Sequence, residues 1–226
     1  MEKTIEIEEI FRKEAPGYTM LYVEADVENY PSSDALKHQL DTLSENISSR
    51  LALPDINKIP AIAATRAAYK RFGKDPNRYR PSQEQLMRRI VKGLGLYYVD
   101  SLVDIGNIVS LITGSSLGVF DRDKIEGDTL RLGVGLANEP YEGIGRGPLN
   151  IEGLPVIRDA AGGIGTPTSD NERTKVAADT NKISICLNIY DSSEWNAEKA
   201  FPLLKSLLEN YCKAENINYS VISATE

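Results

Sequence analysis

The order in which helical and strand patterns follow one another is the feature that most restricts the fold of this chain. Between residues 32 and 114 apolar side chains recur at helical spacing, whereas residues 117–190 hold short apolar runs rich in Gly, Val, Ile and Thr, separated by Gly or Pro. The regular strand–helix alternation of a doubly wound parallel sheet is missing. The sequence therefore predicts an α+β fold.

Five segments carry the pattern of a substantial helix. The first follows an N-cap at residues 32–34. Its apolar positions are Leu36, Leu40, Leu43, Ile47 and Leu51. The third is expected to begin at a capping box formed by Ser82 and Gln85 and to end at Gly93 and Gly95. Its predicted buried stripe is Leu86, Ile90 and Leu94. The other three are predicted over residues 59–72, 102–113 and 197–212.

Strand patterns occur at the N-terminus and through the second half of the chain. They are predicted over residues 4–7, 20–27, 129–135, 153–157 and 183–190. A short helix that stops at Pro16 and Gly17 follows the first strand. We expect one domain over residues 1–226, with an N-terminal layer (1–54), a core (55–195) and a C-terminal helix and tail (196–226).

The composition is that of an ordinary globular protein, with 41% hydrophobic and 26% charged residues in 226. Two distant cysteines are expected to be reduced thiols. The only histidine, His38, is predicted to face solvent, and neither a metal site nor a cofactor is expected. The chain starts without a basic, then apolar leader, and its longest uncharged run, residues 105–120, is short and polar. We therefore expect a cytoplasmic protein without a membrane segment.

Charge is unevenly distributed. The formal net charge is −7, which by itself argues against a nucleic-acid partner. Residues 66–92, however, hold nine cations against only Asp75 and Glu84, so this basic segment carries +7 and the rest of the chain −14. Its cations are Arg66, Lys70, Arg71, Lys74, Arg78, Arg80, Arg88, Arg89 and Lys92. The basic segment either attracts a phosphate backbone or pairs with acids elsewhere in the fold.

Signatures of nucleotide-driven and serine-nucleophile chemistry are missing. There is no GxxxxGK[ST] and no GxSxG, and the glycine runs at 143–147 and 162–165 are not GxGxxG. A polar set remains in the middle of the chain: Asp104 and Asn107 share a helix face, and residues 162–170 form a Gly/Thr/Ser loop that ends in Asp170. Such a set suits polar ligand capture or hydrolysis by a positioned water, or it caps a surface turn.

Several short motifs occur in a recognisable order between residues 81 and 190. They are Arg89-Ile90 with Gly93, Val103-Asp104-Ile-Gly-Asn107, Gly118-Val-Phe120-Asp121-Arg-Asp-Lys124-Ile125-Glu-Gly127, Val156-Ile157-Arg-Asp159 and Gly162-Gly163. This series resembles the B3/B4 tRNA-editing domain of the phenylalanyl-tRNA synthetase beta chain, and the chain is most similar to free-standing members. The resemblance implies a three-layer α+β fold, a β-sandwich of unusual topology flanked by helices.

The resemblance also implies a function and a site. In the synthetase, this domain hydrolyses tyrosine wrongly esterified to the phenylalanine tRNA. Carried over, the implied catalytic residues are Asn107, Thr166 and Asp170, and the implied substrate-binding residues are Gly118, Gly163 and Thr168. Gly118 stands where the family has a histidine. We expect the RNA backbone to contact Arg80, Arg88, Arg89 and Lys92.

Three hypotheses stay open at this point. The first is an editing-like hydrolase acting on a mischarged aminoacyl-tRNA ester. The second, motivated by Gly118, is a binding module for RNA or an amino acid that does not catalyse. The third is a small-metabolite enzyme on a reused fold. All exclude aminoacylation, because no adenylate-forming site is present. The tRNA, the amino acid and the oligomeric state are not determined by the sequence.

Overall fold

This computed structural model describes residues 3–190 and 194–225 of the chain. These residues contain eleven strands and six α-helices, joined by loops and short helical turns. The helices are α1 (Glu9–Glu14), α2 (Asp34–Arg50), α3 (Pro60–Arg71), α4 (Ser82–Val91), α5 (Ser101–Thr113) and α6 (Ala197–Cys212). The strands are β1 (Thr4–Ile7), β2 (Thr19–Asp26), β3 (Ser116–Asp121), β4 (Thr129–Val134), β5 (Glu142–Gly143), β6 (Gly147–Pro148), β7 (Pro155–Asp159), β8 (Gly162–Thr166), β9 (Ser169–Asp170), β10 (Lys182–Ile189) and β11 (Glu215–Ser223).

Two larger sheets and one short hairpin contain all of these strands. One sheet has five strands in the order β1-β4-β7-β8-β9, and the other has four in the order β11-β2-β10-β3. In the four-stranded sheet all neighbours are antiparallel, with Cys186 of β10 opposite Tyr22 of β2 on one side and Gly118 of β3 on the other. β1 joins the five-stranded sheet as a parallel neighbour of β4.

Apolar residues on both faces of the four-stranded sheet create two cores and hence three layers. Successive strand residues face opposite sides, so β2 sends Tyr22 into one core and Val23 into the other. The first core includes Leu132 and Ile164 of the five-stranded sheet, and the second includes Leu36 of α2 and Leu204 of α6. The order is therefore helices, four-stranded sheet, five-stranded sheet. The predicted α+β fold with a flanked β-sandwich is confirmed.

Capping residues and glycines mark the ends of several helices, as the sequence predicted. Ser33 caps α2 by accepting a hydrogen bond from the Leu36 N–H, and Gly114 ends α5 with a φ of 68°, in the left-handed region. The helix predicted over residues 197–212 has those bounds in the structure. His38 is exposed, as predicted from its position on α2.

The predictions for α4 need two corrections. Pro81 occupies the N-cap position and Ser82 is the first helical residue, so the predicted capping box does not form. The buried face of α4 includes Glu84, Met87 and Ile90, whereas Leu94 lies beyond the helix and is exposed. The apolar pattern misled because the buried face includes a carboxylate, that of Glu84, which a count of apolar residues leaves out.

The two ends of the chain enter the sheets. Residues 3–54, predicted to form an N-terminal layer, supply β1 to one sheet, β2 to the centre of the other, and α2 to the helical layer. The residues predicted as a C-terminal tail form β11, which pairs with β2 along the edge of the four-stranded sheet. The organisation of residues 1–226 as one domain stays a prediction.

Candidate functional site

Three adjoining cavities lie where α4 and α5 face the ends of β3 and β8. Ser82, the first residue of α4, lines all three. An inner cavity of about 60 Å³ is bounded by the two sheets. A middle cavity of about 470 Å³ lies along α5, and an outer cavity of about 490 Å³ lies along α4. The middle cavity shares Leu117 and Asp170 with the inner one, and Leu86 and Asn107 with the outer one.

Two glycines form the backbone floor of the inner cavity beside Asp170. A Cβ atom on Gly118 would lie 3.0 Å from the Asp170 Oδ1 and 2.7 Å from the Phe120 Cζ. A Cβ on Gly165 would lie 3.1 Å and 2.5 Å from the same two atoms. Any larger residue at either position would therefore displace the Phe120 ring or the carboxyl group. The missing side chains let Asp170 sit directly against the two strands.

The environment of Asp170 changes its protonation. Burial of the carboxyl group raises its pKa to about 8, although a backbone hydrogen bond from Val119 acts in the opposite direction. At neutral pH most Asp170 side chains are therefore protonated. In that form the side chain can donate a hydrogen bond to a ligand, but it is not available as a general base.

The inner cavity also contains polar groups from β3 and β10. The Ser116 hydroxyl is buried and has no hydrogen-bond partner among the described residues. Asn188 lies opposite Ser116 in the sheet, and its Nδ2 donates to the Ser116 carbonyl over 3.3 Å. Cys186 lines the same cavity, and burial raises the pKa of its thiol. A thiol held in its neutral form is a poor nucleophile.

Asn107 connects the middle and outer cavities. It projects from α5 and lines both, and its side-chain amide makes no hydrogen bond within the described part of the chain. Asp104, three residues earlier, is fully buried and accepts hydrogen bonds from the Ser32 hydroxyl at 2.6 Å and the Val99 N–H at 3.3 Å. The two residues thus differ in role: Asp104 fixes the start of α5, and Asn107 presents to the cleft an amide without a partner among the described residues.

The threonines of the 166–169 turn are already hydrogen-bonded. The Thr166 hydroxyl donates to the Ser169 carbonyl at 3.0 Å and accepts from the N–H groups of Thr168, at 3.2 Å, and Ser169, at 3.1 Å. The Thr168 hydroxyl pairs with the Tyr69 hydroxyl at 2.9 Å. Both residues shape the wall of the cleft instead of presenting unpaired hydroxyl groups to it.

All four cations predicted to contact RNA line the outer cavity. Arg80, Arg88, Arg89 and Lys92 lie there together with Arg146, and none of the acidic side chains that the structure describes lines it. Arg146 was missed by the sequence analysis because it belongs to the glycine-rich run 143–147, which drew attention for its glycines alone.

Several cations of the basic segment are paired inside the fold. Glu84 is fully buried and accepts from the Arg66 guanidinium at 2.9 Å and from Arg88 at 2.8 Å, with Arg80 at 3.8 Å. Lys74 is buried and donates to the carbonyls of Asn150 and Glu152. Both interpretations of the basic segment therefore apply: Arg66 and Lys74 pair inside the fold, Arg89 and Lys92 line the outer cavity, and Arg80 and Arg88 do both.

Gly163 is the one predicted site residue that lies apart from the three cavities. It belongs to β8 opposite Arg158, and a Cβ there would lie 2.8 Å from the Tyr141 ring. Ser116 and Asn188, conversely, were missed by the sequence analysis. They are separated by 72 residues, and only the pairing of β3 with β10 brings them together.

None of the helices in residues 3–190 and 194–225 is long and apolar enough to span a bilayer. Within the same ranges, no group of three or more His, Cys, Asp or Glu side chains is placed to hold a metal ion.

Comparison with known proteins places the chain in a family. The family model of the B3/4 domain matches residues 64–205, and no curated protein matches the chain. Among solved structures, the chain is similar to an N-terminal fragment of the phenylalanyl-tRNA synthetase beta-subunit from Pyrococcus horikoshii, with 16% identity and a TM-score of 0.47. That match covers 96% of this chain and 51% of the fragment, so the chain spans about half the fragment's length. Since the family match includes well over half of its residues, the chain belongs to the B3/4 domain family.

Proposed function

We propose that this protein hydrolyses the ester bond of a mischarged aminoacyl-tRNA. The observation that carries the proposal is the juxtaposition of two different cavities. The middle cavity, lined by Asn107 and Asp170, adjoins an outer cavity that, within residues 3–190 and 194–225, is lined by five cationic and no acidic side chains. An aminoacyl-tRNA has the matching asymmetry, because a small amino acid is joined there to a polyanion.

The amino-acid moiety fits the middle cavity in this proposal. The cavity has a volume of about 470 Å³ and apolar walls that include Val103, Leu117 and Val119. The amide of Asn107 supplies a donor and an acceptor at the boundary with the outer cavity, where the ester lies. Protonated Asp170 donates a hydrogen bond from the inner end, and Gly118 leaves room beside it. Thr166 and Thr168 shape the wall of the cleft through their hydrogen bonds. Gly163 contributes indirectly, because its missing side chain leaves room for the Tyr141 ring.

Water is the nucleophile in the proposed reaction. Cys186 is unsuitable because burial keeps its thiol protonated. The water oxygen attacks the ester carbonyl, the bond from the carbonyl carbon to the ribose oxygen breaks, and the water proton passes to that ribose oxygen. The products are the free amino acid and uncharged tRNA. The cleft contributes positioning and hydrogen bonds to the developing oxyanion instead of a strong base.

A deacylation assay tests this proposal. Purified protein is incubated with a panel of correctly and incorrectly charged tRNAs, and release of the amino acid is followed over time. We expect release above the buffer rate for at least one mismatched pair, and a loss of at least tenfold in Asn107→Ala, since a positioned polar group contributes on the order of 10²-fold or more. Asn210→Ala, an exposed asparagine on α6, is the matched control and should keep the wild-type rate. If every pair stays at the buffer rate, hydrolysis is excluded.

A non-catalytic module for RNA or an amino acid is the second candidate. It is favoured by Gly118, at the position of the family's histidine, together with the protonated state of Asp170, because neither residue then supplies a general base near neutral pH. This candidate predicts saturable, salt-sensitive binding of aminoacyl-tRNA without release of the amino acid. Equilibrium binding measured on the same panel as the deacylation assay separates the two.

A further inference from the structure

The segment between α4 and α5, residues 94–99, places apolar and aromatic side chains in solvent at the edge of the cleft. Leu94, Tyr97, Tyr98 and Val99 are all exposed, and Tyr97 is the most exposed, at 72%. Leu94 also lines the outer cavity, and Val99 lines the middle one. This rim loop therefore borders both cavities, and it is the part of the cleft for which the proposed reaction has no use.

Tyr97 is held in place from one side only. The Arg89 guanidinium lies 4.2 Å from the centre of the Tyr97 ring, a cation–π distance, and its Nη2 donates to the Leu94 carbonyl over 3.3 Å. Because most of the ring is exposed, its other face is open to solvent. Tyr98 is different: its hydroxyl donates to Asp41, which ties the side chain to α2.

The outer cavity next to the rim loop is lined by cations, which differ in whether they have a hydrogen-bond or ion-pair partner. Of the five cations of the outer cavity, Arg88 is paired with Glu84 and Arg146 donates to the Gln85 side chain. Lys92 forms no ion pair or hydrogen bond within the described residues. A ligand lying across the rim loop and the outer cavity thus meets an open aromatic face and then the group of cations that lines this cavity.

From this arrangement we infer that the rim loop and the outer cavity bind unpaired nucleotides, with a base stacked on the open face of Tyr97 and the adjoining phosphates in the outer cavity. An aromatic face beside a cationic groove is the usual design for single-stranded nucleic acid, since only an unstacked base exposes its π-face. The inference deepens the proposed function and rests on it for the choice of RNA. It adds that the recognised part of the RNA is single-stranded.

Binding of a short labelled oligoribonucleotide to the full chain, followed by fluorescence anisotropy, tests the inference. The unpaired strand should bind more tightly than the same strand in a duplex. Loss of the ring in Tyr97→Ala should weaken binding of the strand by about 5- to 100-fold, the range observed for removal of one stacking side chain. Tyr97→Trp should retain binding, because it keeps an aromatic face. Tyr219→Ala is the matched control, since Tyr219 is 52% exposed but lies on β11 against Phe201.

The outcomes separate this inference from its alternatives. Equal binding by wild type and Tyr97→Ala overturns it, and so does equal affinity for strand and duplex. It is also overturned if Tyr97→Ala changes the oligomeric state in sedimentation while RNA binding is unchanged, because the rim loop is then a protein interface. Tyr97-dependent binding without deacylation of any tRNA supports the inference and rejects hydrolysis. Deacylation of a tRNA by the wild type, together with unaltered RNA binding by Tyr97→Ala, supports hydrolysis and rejects the inference.

Discussion

At the scale of single residues, the chemistry of the cleft is set by a few polar side chains whose hydrogen bonding or protonation is unusual. Within the part of the chain that the structure describes, the Asn107 amide and the Ser116 hydroxyl have no hydrogen-bond partner, and burial raises the pKa of the Asp170 carboxyl group. The sequence could identify Asn107 because it belongs to a short motif, and Asp170 because it ends the Gly/Thr/Ser loop of residues 162–170. It could not distinguish them from Thr166, whose hydroxyl is used within its own turn, since hydrogen bonding depends on the folded geometry.

The raised pKa of Asp170 predicts a pH dependence of stability. Its folded pKa is about 8 against an ordinary value of 3.8, so between these values the folded state holds a proton that the unfolded state has released. Stability must then fall as pH rises across this window, by about 1.4 kcal/mol per pH unit. Asp170→Asn removes this dependence. We expect the melting temperature of wild type to drop relative to the variant by about 3–6 °C per pH unit from pH 5 to 7.

Differential scanning calorimetry of the two proteins across that range measures the effect. All other titrating groups are common to both, so they cancel in the difference between the two melting curves. Parallel pH profiles for wild type and Asp170→Asn would show that the Asp170 carboxyl group is ionised in the folded protein.

At the scale of secondary-structure elements, α4 organises the basic segment. One of its faces buries Glu84 beneath three arginines, and the rest of the helix directs Arg89 and Lys92 toward the outer cavity. Periodicity located this helix, but it placed Leu94 in the core and overlooked Glu84. The pattern counts apolar residues, and a carboxylate whose charge is matched by partners from other elements occupies a buried position just as well.

Removal of the Glu84 charge should destabilise the fold. Glu84→Gln leaves the Arg66 guanidinium, 11% exposed, without its counter-ion. We expect the free energy of unfolding, measured by urea titration at pH 7, to fall by about 3 kcal/mol, as when one partner of a buried pair is removed. Glu172→Gln, which breaks the more exposed pair with Lys175, should cost less than about 1 kcal/mol. Similar losses in the two variants would mean that the Glu84 cluster is no more than a surface pair.

At the scale of the whole molecule, the net charge of −7 conceals a separation of charge. Five cations line the outer cavity, whereas Arg66 and Lys74 are used inside the fold. An acidic protein can therefore attract a polyanion at one face, with the acidic remainder opposing contacts elsewhere.

The salt dependence of RNA binding should report these particular cations. For single strands, the slope of log K against log salt concentration changes by about 0.7 per neutralised phosphate. Changing both Lys92 and Arg146 to Gln should make the slope of an unpaired oligoribonucleotide shallower by about 1.4, or two phosphates. Arg78→Gln removes a cation of the basic segment outside the outer cavity and should leave the slope unchanged. An equal change in Arg78→Gln would show that binding follows overall charge and not the outer cavity.

The sequence alone determined the α+β class, the helices with clear caps and periodicity, and the B3/4 family, because each of these is encoded in short windows or in the order of short motifs. The tertiary structure decided which cations are paired, made the C-terminal residues a strand, and brought Asn107, Ser116 and Asp170 to one cleft beside Tyr97. Charge pairing, strand register and cavities arise between residues that are distant in the chain, so no local pattern encodes them.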